Sequence, residues 1–94
     1  MKRCILLKLT PGTDPVAIQE KLWRGFNRLD DAMDWMNHPV IHRSSCADDD
    51  FDLMITVEID EEERLGEYLA HPLTQKLMEK VDPFIRKKRV FDHY

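Results

Sequence analysis

Residues 51–74 read FDLMITVEIDEEERLGEYLAHPLT, and their reading decides the fold. Phe51, Leu53, Ile55, Val57 and Ile59 alternate with Asp52, Met54, Thr56 and Glu58. Period 2 over residues 51–59 describes a strand with one strongly apolar face. Asp60 then caps a helix expected over residues 61–70, with acidic side chains at the positive end of its dipole. Leu65, Tyr68 and Leu69 are its expected inward residues. Pro72 ends or bends the helix, because proline disfavours the helical conformation of the residue before it.

Working upstream, Ala47-Asp48-Asp49-Asp50 reads as an acidic hairpin loop, and residues 40–46 as a second strand with Pro39 at its start or edge. Trp35-Met36 forms a hydrophobic plug behind a long helix over residues 15–31. Asp14 or Thr13 caps that helix and Pro15 takes its first position. Its apolar stripe is Ile18, Leu22, Phe26, Leu29 and Met33. Gly25 costs roughly 1 kcal/mol against alanine there, which close packing of the helix on the sheet would explain. A first strand over residues 3–10 puts Ile5, Leu7 and Leu9 on one face and Cys4, Leu6 and Lys8 on the other. Thr10-Pro11-Gly12-Thr13 is a turn. Downstream, residues 73–81 form a further helical segment with Leu73, Leu77 and Val81 at spacing four. Asp82-Pro83 breaks it. A last strand over residues 87–93 carries Lys88, Val90 and Asp92 on one face and Phe91 on the other.

The order is β-α-β-β-α-β, the split-βαβ or ferredoxin-like arrangement of the α+β class, with an antiparallel sheet. Residues 1–94 fit a single domain. Two helices cover only one face of a four-stranded sheet. The opposite face, with Cys4, Leu6, Met54 and Phe91, is too apolar to stand in water. A second copy of the chain, related by a two-fold axis, would cover it.

The net charge of −4 argues against a general nucleic-acid binder, and the one basic run, Arg86-Lys87-Lys88-Arg89, is short. No apolar run is long enough to span a bilayer. Met1-Lys2-Arg3 and the apolar residues after it resemble the start of a signal peptide, but Lys8 interrupts the run and no cleavage site follows. Cys4 and Cys46 have no metal or redox spacing. A cytoplasmic protein with reduced thiols is expected. His38 and His42 lie in extended chain, roughly 13 Å apart, too far to share one ion. Asp48, Asp49 and Asp50 lack the alternation of a calcium loop. With no glycine-rich phosphate loop and no haem or flavin signature, neither a metal nor a cofactor is expected.

Lys8-Leu9-Thr10-Pro11-Gly12, the stretch from Phe51 through Pro72, and Val90-Phe91-Asp92 together resemble the stress-responsive alpha/beta-barrel (Dabb) family of the dimeric alpha/beta-barrel superfamily. Tyr68, His71-Pro72 and Asp92 match its usual pattern. The resemblance implies a homodimer whose two sheets form a barrel with the helices outside. One plant branch comprises cofactor-independent polyketide cyclases with a HisProxxHis motif and a helper Tyr. Here that motif reads His71-Pro72-Leu73-Thr74, so Thr74 stands where the branch has its catalytic His. Leu53 stands where it has a His on the central strand, and Arg3-Cys4 where many members have a His on the first. A threonine hydroxyl is no base near neutral pH unless another group takes its proton.

Two sets of site residues follow. Tyr68 and His71 lie three apart on a helix and are candidates for acid or oxyanion donor and for base, respectively. The plainer reading packs Tyr68 inward and leaves His71 at a helix C-terminus. Leu22, Trp23 and Phe26, facing Leu53, Ile55, Val57, Thr74, Ile85 and Val90, either line a pocket for a small hydrophobic ligand or fill a core. The expected function is a small homodimeric barrel protein that binds such a ligand. The alternative is a cofactor-independent cyclase, isomerase or lyase acting on an aromatic or polyketide-like substrate. A pocket of roughly 300 Å³ or more with Tyr68 and His71 converging on it would favour the enzyme.

Overall fold

The computed structural model describes residues 1–46 and 48–94; Ala47, in the expected acidic loop, lies outside the described residues. In chain order the elements are β1 (Lys2–Leu9), α1 (Pro15–Ala32), β2 (Met36–Arg43), β3 (Leu53–Ile59), α2 (Leu65–Ala70), α3 (Pro72–Val81) and β4 (Ile85–His93). Short 3-10 turns, Glu62–Arg64 and Asp82–Phe84, precede α2 and β4. The sheet order is β2-β3-β1-β4, with every neighbouring pair antiparallel. This is the ferredoxin-like arrangement, with the second helix divided at His71-Pro72.

The register makes one face of the sheet the core. Ile5 pairs with Ile55 on one side and Val90 on the other, and Ile41 pairs with Ile55 from β2. Leu7, Leu53, Ile55, Val57 and Ile59 are all buried beneath the α1 stripe of Ile18, Leu22, Phe26, Leu29 and Met33. Of the two candidate caps for α1, Asp14 is used, accepting a hydrogen bond from the Val16 N–H at 3.0 Å. Gly12 takes a φ of +83° in the preceding turn, a conformation glycine adopts without Cβ strain.

Several boundaries differ from the sequence reading. β2 starts at Met36, four residues before the expected position, and ends at Arg43. Its register shifts between Asn37 and Val40, where His38 has φ +54°. That irregularity accommodates Pro39, which has no N–H for a ladder. Trp35 and Met36 are buried, as a plug requires. β3 is assigned from Leu53, and Asp52 ties off its start. The Asp52 N–H donates to the Leu7 carbonyl at 2.8 Å, and its carboxylate accepts from the Leu9 N–H at 2.8 Å. Leu69 is exposed rather than inward, because the six-residue α2 turns only Tyr68 fully into the core.

Gly25 has a different partner from the one expected. A Cβ there would lie 2.5 Å from Leu77 Cδ1, so the close approach is between α1 and α3, not between α1 and the sheet. Even a methyl group at this position would displace the Leu77 side chain. We expect Gly25→Val to lower stability by about 1–3 kcal/mol, the usual cost of overpacking. A reduced urea midpoint would show this; an unchanged midpoint would mean that the helices separate freely.

Candidate functional site

β4 is the strand the helices fail to cover. Its helix-side residues Lys88, Val90 and Asp92 are exposed, and only Ile85 is half-buried. Between β4 and β1 below and α2 and α3 above is a cavity of about 390 Å³. Ile5, Leu7 and Ile55 supply sheet walls, and Leu22 and Val81 supply helix walls. Four polar side chains, Gln75, Glu79, Asp82 and Lys88, also border it.

Three further polar groups lie on its wall. Tyr68 is 2% exposed and borders the cavity. Burial raises its pKa above the usual value near 10, a shift that the nearby Arg3 charge opposes in part. At neutral pH Tyr68 is therefore a phenol, able to donate a hydrogen bond. Thr74 is buried on α3, and its Oγ1 has no hydrogen-bond partner among the described residues. Arg3 completes the group, with its Cζ 6.0 Å from the centre of the Tyr68 ring.

Strand pairing holds Arg3 in place. β1 and β4 set Arg3 opposite Asp92, and the two side chains form a fork. Nε donates to Oδ1 at 2.8 Å and Nη2 to Oδ2 at 2.9 Å. These hydrogen bonds hold the Asp92 carboxyl below the usual carboxylate range and raise Arg3 further. The parity of β1 carried the signal for this residue. Arg3 shares the face of Ile5 and Leu7, so a helix-side arginine could have been read from the alternation.

The expected site residues divide into four groups. Leu22, Ile55, Tyr68, Thr74, Ile85 and Val90 line the cavity. Phe26, Leu53 and Val57 are buried in the core but do not border it. Trp23 does neither: it sits one step round α1 from Leu22, outside the buried stripe, and is 55% exposed. His71 joins α2 to α3 rather than lining the cavity. Its Nδ1 accepts a hydrogen bond from the Leu73 N–H at 3.1 Å. Nδ1 is therefore unprotonated, and Nε2 carries the proton as a donor.

Other candidates serve local structure. His38 Nδ1 lies 3.1 Å from Glu58, and His42 Nε2 lies 3.3 Å from Thr56 Oγ1. Cys4 and Cys46 are free thiols. Among the described residues no group of three or more His, Cys, Asp or Glu side chains is placed to hold a metal ion, and no helix is long and apolar enough to cross a membrane.

The Arg3–Asp92 pair has a definite pH signature. A depressed carboxylate pKa stabilises the fold above the unfolded value, and that stability is lost as pH falls through the folded value. Asp92→Asn should therefore cost stability at neutral pH, by no more than about 1 kcal/mol for a partly exposed pair. The deficit should close in acid below the ordinary carboxylate range. Urea midpoints across that range check this; a deficit of equal size in acid would mean that the pair is not its source.

Among solved structures, the chain is similar to a dimeric protein of unknown function and ferredoxin-like fold from Bacteroides fragilis. The two share 12% identity with a TM-score of 0.83, over 98% of this chain and 92% of that one. A protein of Arabidopsis thaliana is 19% identical with a TM-score of 0.80, over 99% of this chain and 92% of that one. Hydroxynitrile lyase from Passiflora edulis is 8% identical with a TM-score of 0.78, over 98% of this chain and 89% of that one. At these identities the likeness is one of fold. No curated protein matches the chain by sequence. The sequence profile of the family described as Stress Responsive A/B Barrel Domain matches residues 1–94, and the chain therefore belongs to this Dabb family.

Proposed function

We propose that residues 1–94 form a single domain that pairs with a second copy of itself and binds a small, largely apolar molecule in the cavity beside β4. The observation that carries this reading is the Thr74 hydroxyl, buried without a partner among the described residues on the wall of a cavity floored by Ile5, Leu7 and Ile55. An unpaired buried hydroxyl is costly, and a ligand with one polar end would satisfy it. The Tyr68 phenol and the Arg3 guanidinium share that wall and favour a hydroxyl or carbonyl oxygen at that end. A volume of about 390 Å³ lies within the range of small-molecule sites.

The homodimer would form through the helix-free face of the sheet. Cys4, Leu6 and Met54 are half-buried there, Val40 is exposed and Phe91 is 65% exposed. The Bacteroides fragilis relative is itself dimeric. The protein would act in the cytoplasm, where both thiols stay reduced.

The catalytic alternative, a cofactor-independent cyclase, isomerase or lyase on an aromatic or polyketide-like substrate, has Tyr68 in its favour. Beside Arg3, a protonated phenol would stabilise a developing oxyanion. His71 works against it, since its unprotonated nitrogen already caps α3. The binding reading is therefore preferred.

Two measurements check these proposals. Thr74→Val removes the orphan hydroxyl and keeps the shape. It should leave stability unchanged or raise it by up to about 1 kcal/mol, while weakening calorimetrically measured binding of naphthol. Equal naphthol binding by both proteins, or none by the parent, would overturn the cavity reading. In sedimentation equilibrium the parent should be a dimer at micromolar concentration, and Phe91→Glu should shift it to monomer. A monomeric parent would refute the pairing.

A further inference from the structure

A second concavity lies on the helical layer, away from the cavity beside β4. On α1, Lys21, Arg24, Gly25 and Arg28 follow the i, i+3, i+4, i+7 spacing of a single helix face. On α3, Leu73, Lys76, Leu77 and Lys80 follow the same spacing. The two stripes face each other across a groove of about 490 Å³. Gly25 against Leu77 lets the helices close up, which brings the two cationic rows together. Every lysine and arginine of α1 and α3 borders this groove, and among the described residues no carboxylate does.

The charges there are largely uncompensated. Arg24 pairs with Glu20, and Lys21 lies 5.3 Å from the centre of the Phe84 ring. Arg28, Lys76 and Lys80 form no ion pair among the described residues. Like charges gathered on neighbouring helix faces repel, so an arrangement of this kind is stabilised by an anion bound between them. The chain as a whole carries a net charge of −4, so the surface outside the groove is more acidic still. Such a field admits a compact anion and repels a long one. Arginine forks combined with lysine point charges suit phosphate oxygens.

We infer that the α1–α3 groove is a binding site for a small ligand carrying two or more clustered phosphates. The site is independent of the cavity beside β4. It lies on the helical layer, on the opposite side of the sheet from the face proposed for dimerisation, so pairing leaves it open. Such a ligand is either free in solution or a polyphosphorylated lipid headgroup.

Calorimetric titration of the full chain with sodium tripolyphosphate at about 0.1 M ionic strength tests the site, since exposed charges more than about 10 Å apart are screened there. We expect saturable binding at one site per chain, weakened about tenfold or more by the double variant Arg28→Gln/Lys76→Gln. The control Arg43→Gln/Arg86→Gln, outside the groove on β2 and β4, should bind as the parent does, and urea midpoints confirm that each variant is folded. Pelleting with phosphatidylcholine vesicles containing phosphatidylinositol bisphosphate distinguishes the source. Groove-dependent pelleting assigns the ligand to a headgroup; tripolyphosphate binding without pelleting assigns it to a free phosphate compound; both support the site. Absence of saturable tripolyphosphate binding, equal loss in both double variants, or tighter groove-dependent binding of a short DNA duplex would overturn it.

Discussion

There is too little helix to cover four strands. The helical layer buries the inner residues of β3 and most of those of β1, and it stops short of β4. A two-layer fold must bury one apolar face, and β4 meets that requirement by not being apolar: its helix-side positions include Lys88 and Asp92. The gap left beside it is the cavity. The close approach of α1 and α3 at Gly25 and Leu77 belongs to the same economy of space. A bulkier residue at either helix surface would spread the layer, so the separation of the two helices and the space left over β4 are set together.

The parts of the fold that were legible in the sequence are those where burial follows chain period. Leu53, Ile55, Val57 and Ile59 alternate because every second side chain enters the core, and Ile18, Leu22, Phe26 and Leu29 recur because one stripe of α1 does. β2 was displaced by four residues because His38 and Pro39 break the period at a bulge, where local pattern carries no register. Trp23 was drawn into the pocket by its size, although its place on the helix turns it outward. Tyr68 was placed inward by its helix position, whereas Thr74 was singled out by the resemblance, as the residue standing where the HisProxxHis motif has its second His. Arg3 was seen only as the absence of a histidine. Its role depends on Asp92, 89 residues away, and a contact of that separation is made by strand order rather than by local sequence. The cationic groove escaped for a related reason: each helix shows half of it, and neither half exceeds an ordinary solvated face.

The two faces of the sheet divide the physical tasks. One holds the core and, at its β4 side, a cavity walled in part by Arg3, Tyr68 and Thr74. The other presents Met54, Leu6 and Phe91, with Lys2 and Glu58 at its margin. Alternation along β1 assigns Arg3 to the first face and Cys4 to the second, one residue apart. A slip of one residue between β1 and β4 would exchange those assignments and separate Arg3 from Asp92. The ion fork thus contributes to register as well as to charge balance.

His71 belongs to two helices at once. Its N–H closes α2 on the Tyr68 carbonyl at 3.3 Å, and its ring opens α3 on the Leu73 N–H. Tyr68 lies three residues before this joint and Thr74 three residues after it. The residues that carry the phenol and the hydroxyl are thus joined by a seven-residue span of chain. His71 works as a gauge, holding the spacing between two groups that it does not accompany into the cavity. For the proposed ligand, the bend at His71 would set how far apart the two oxygens stand.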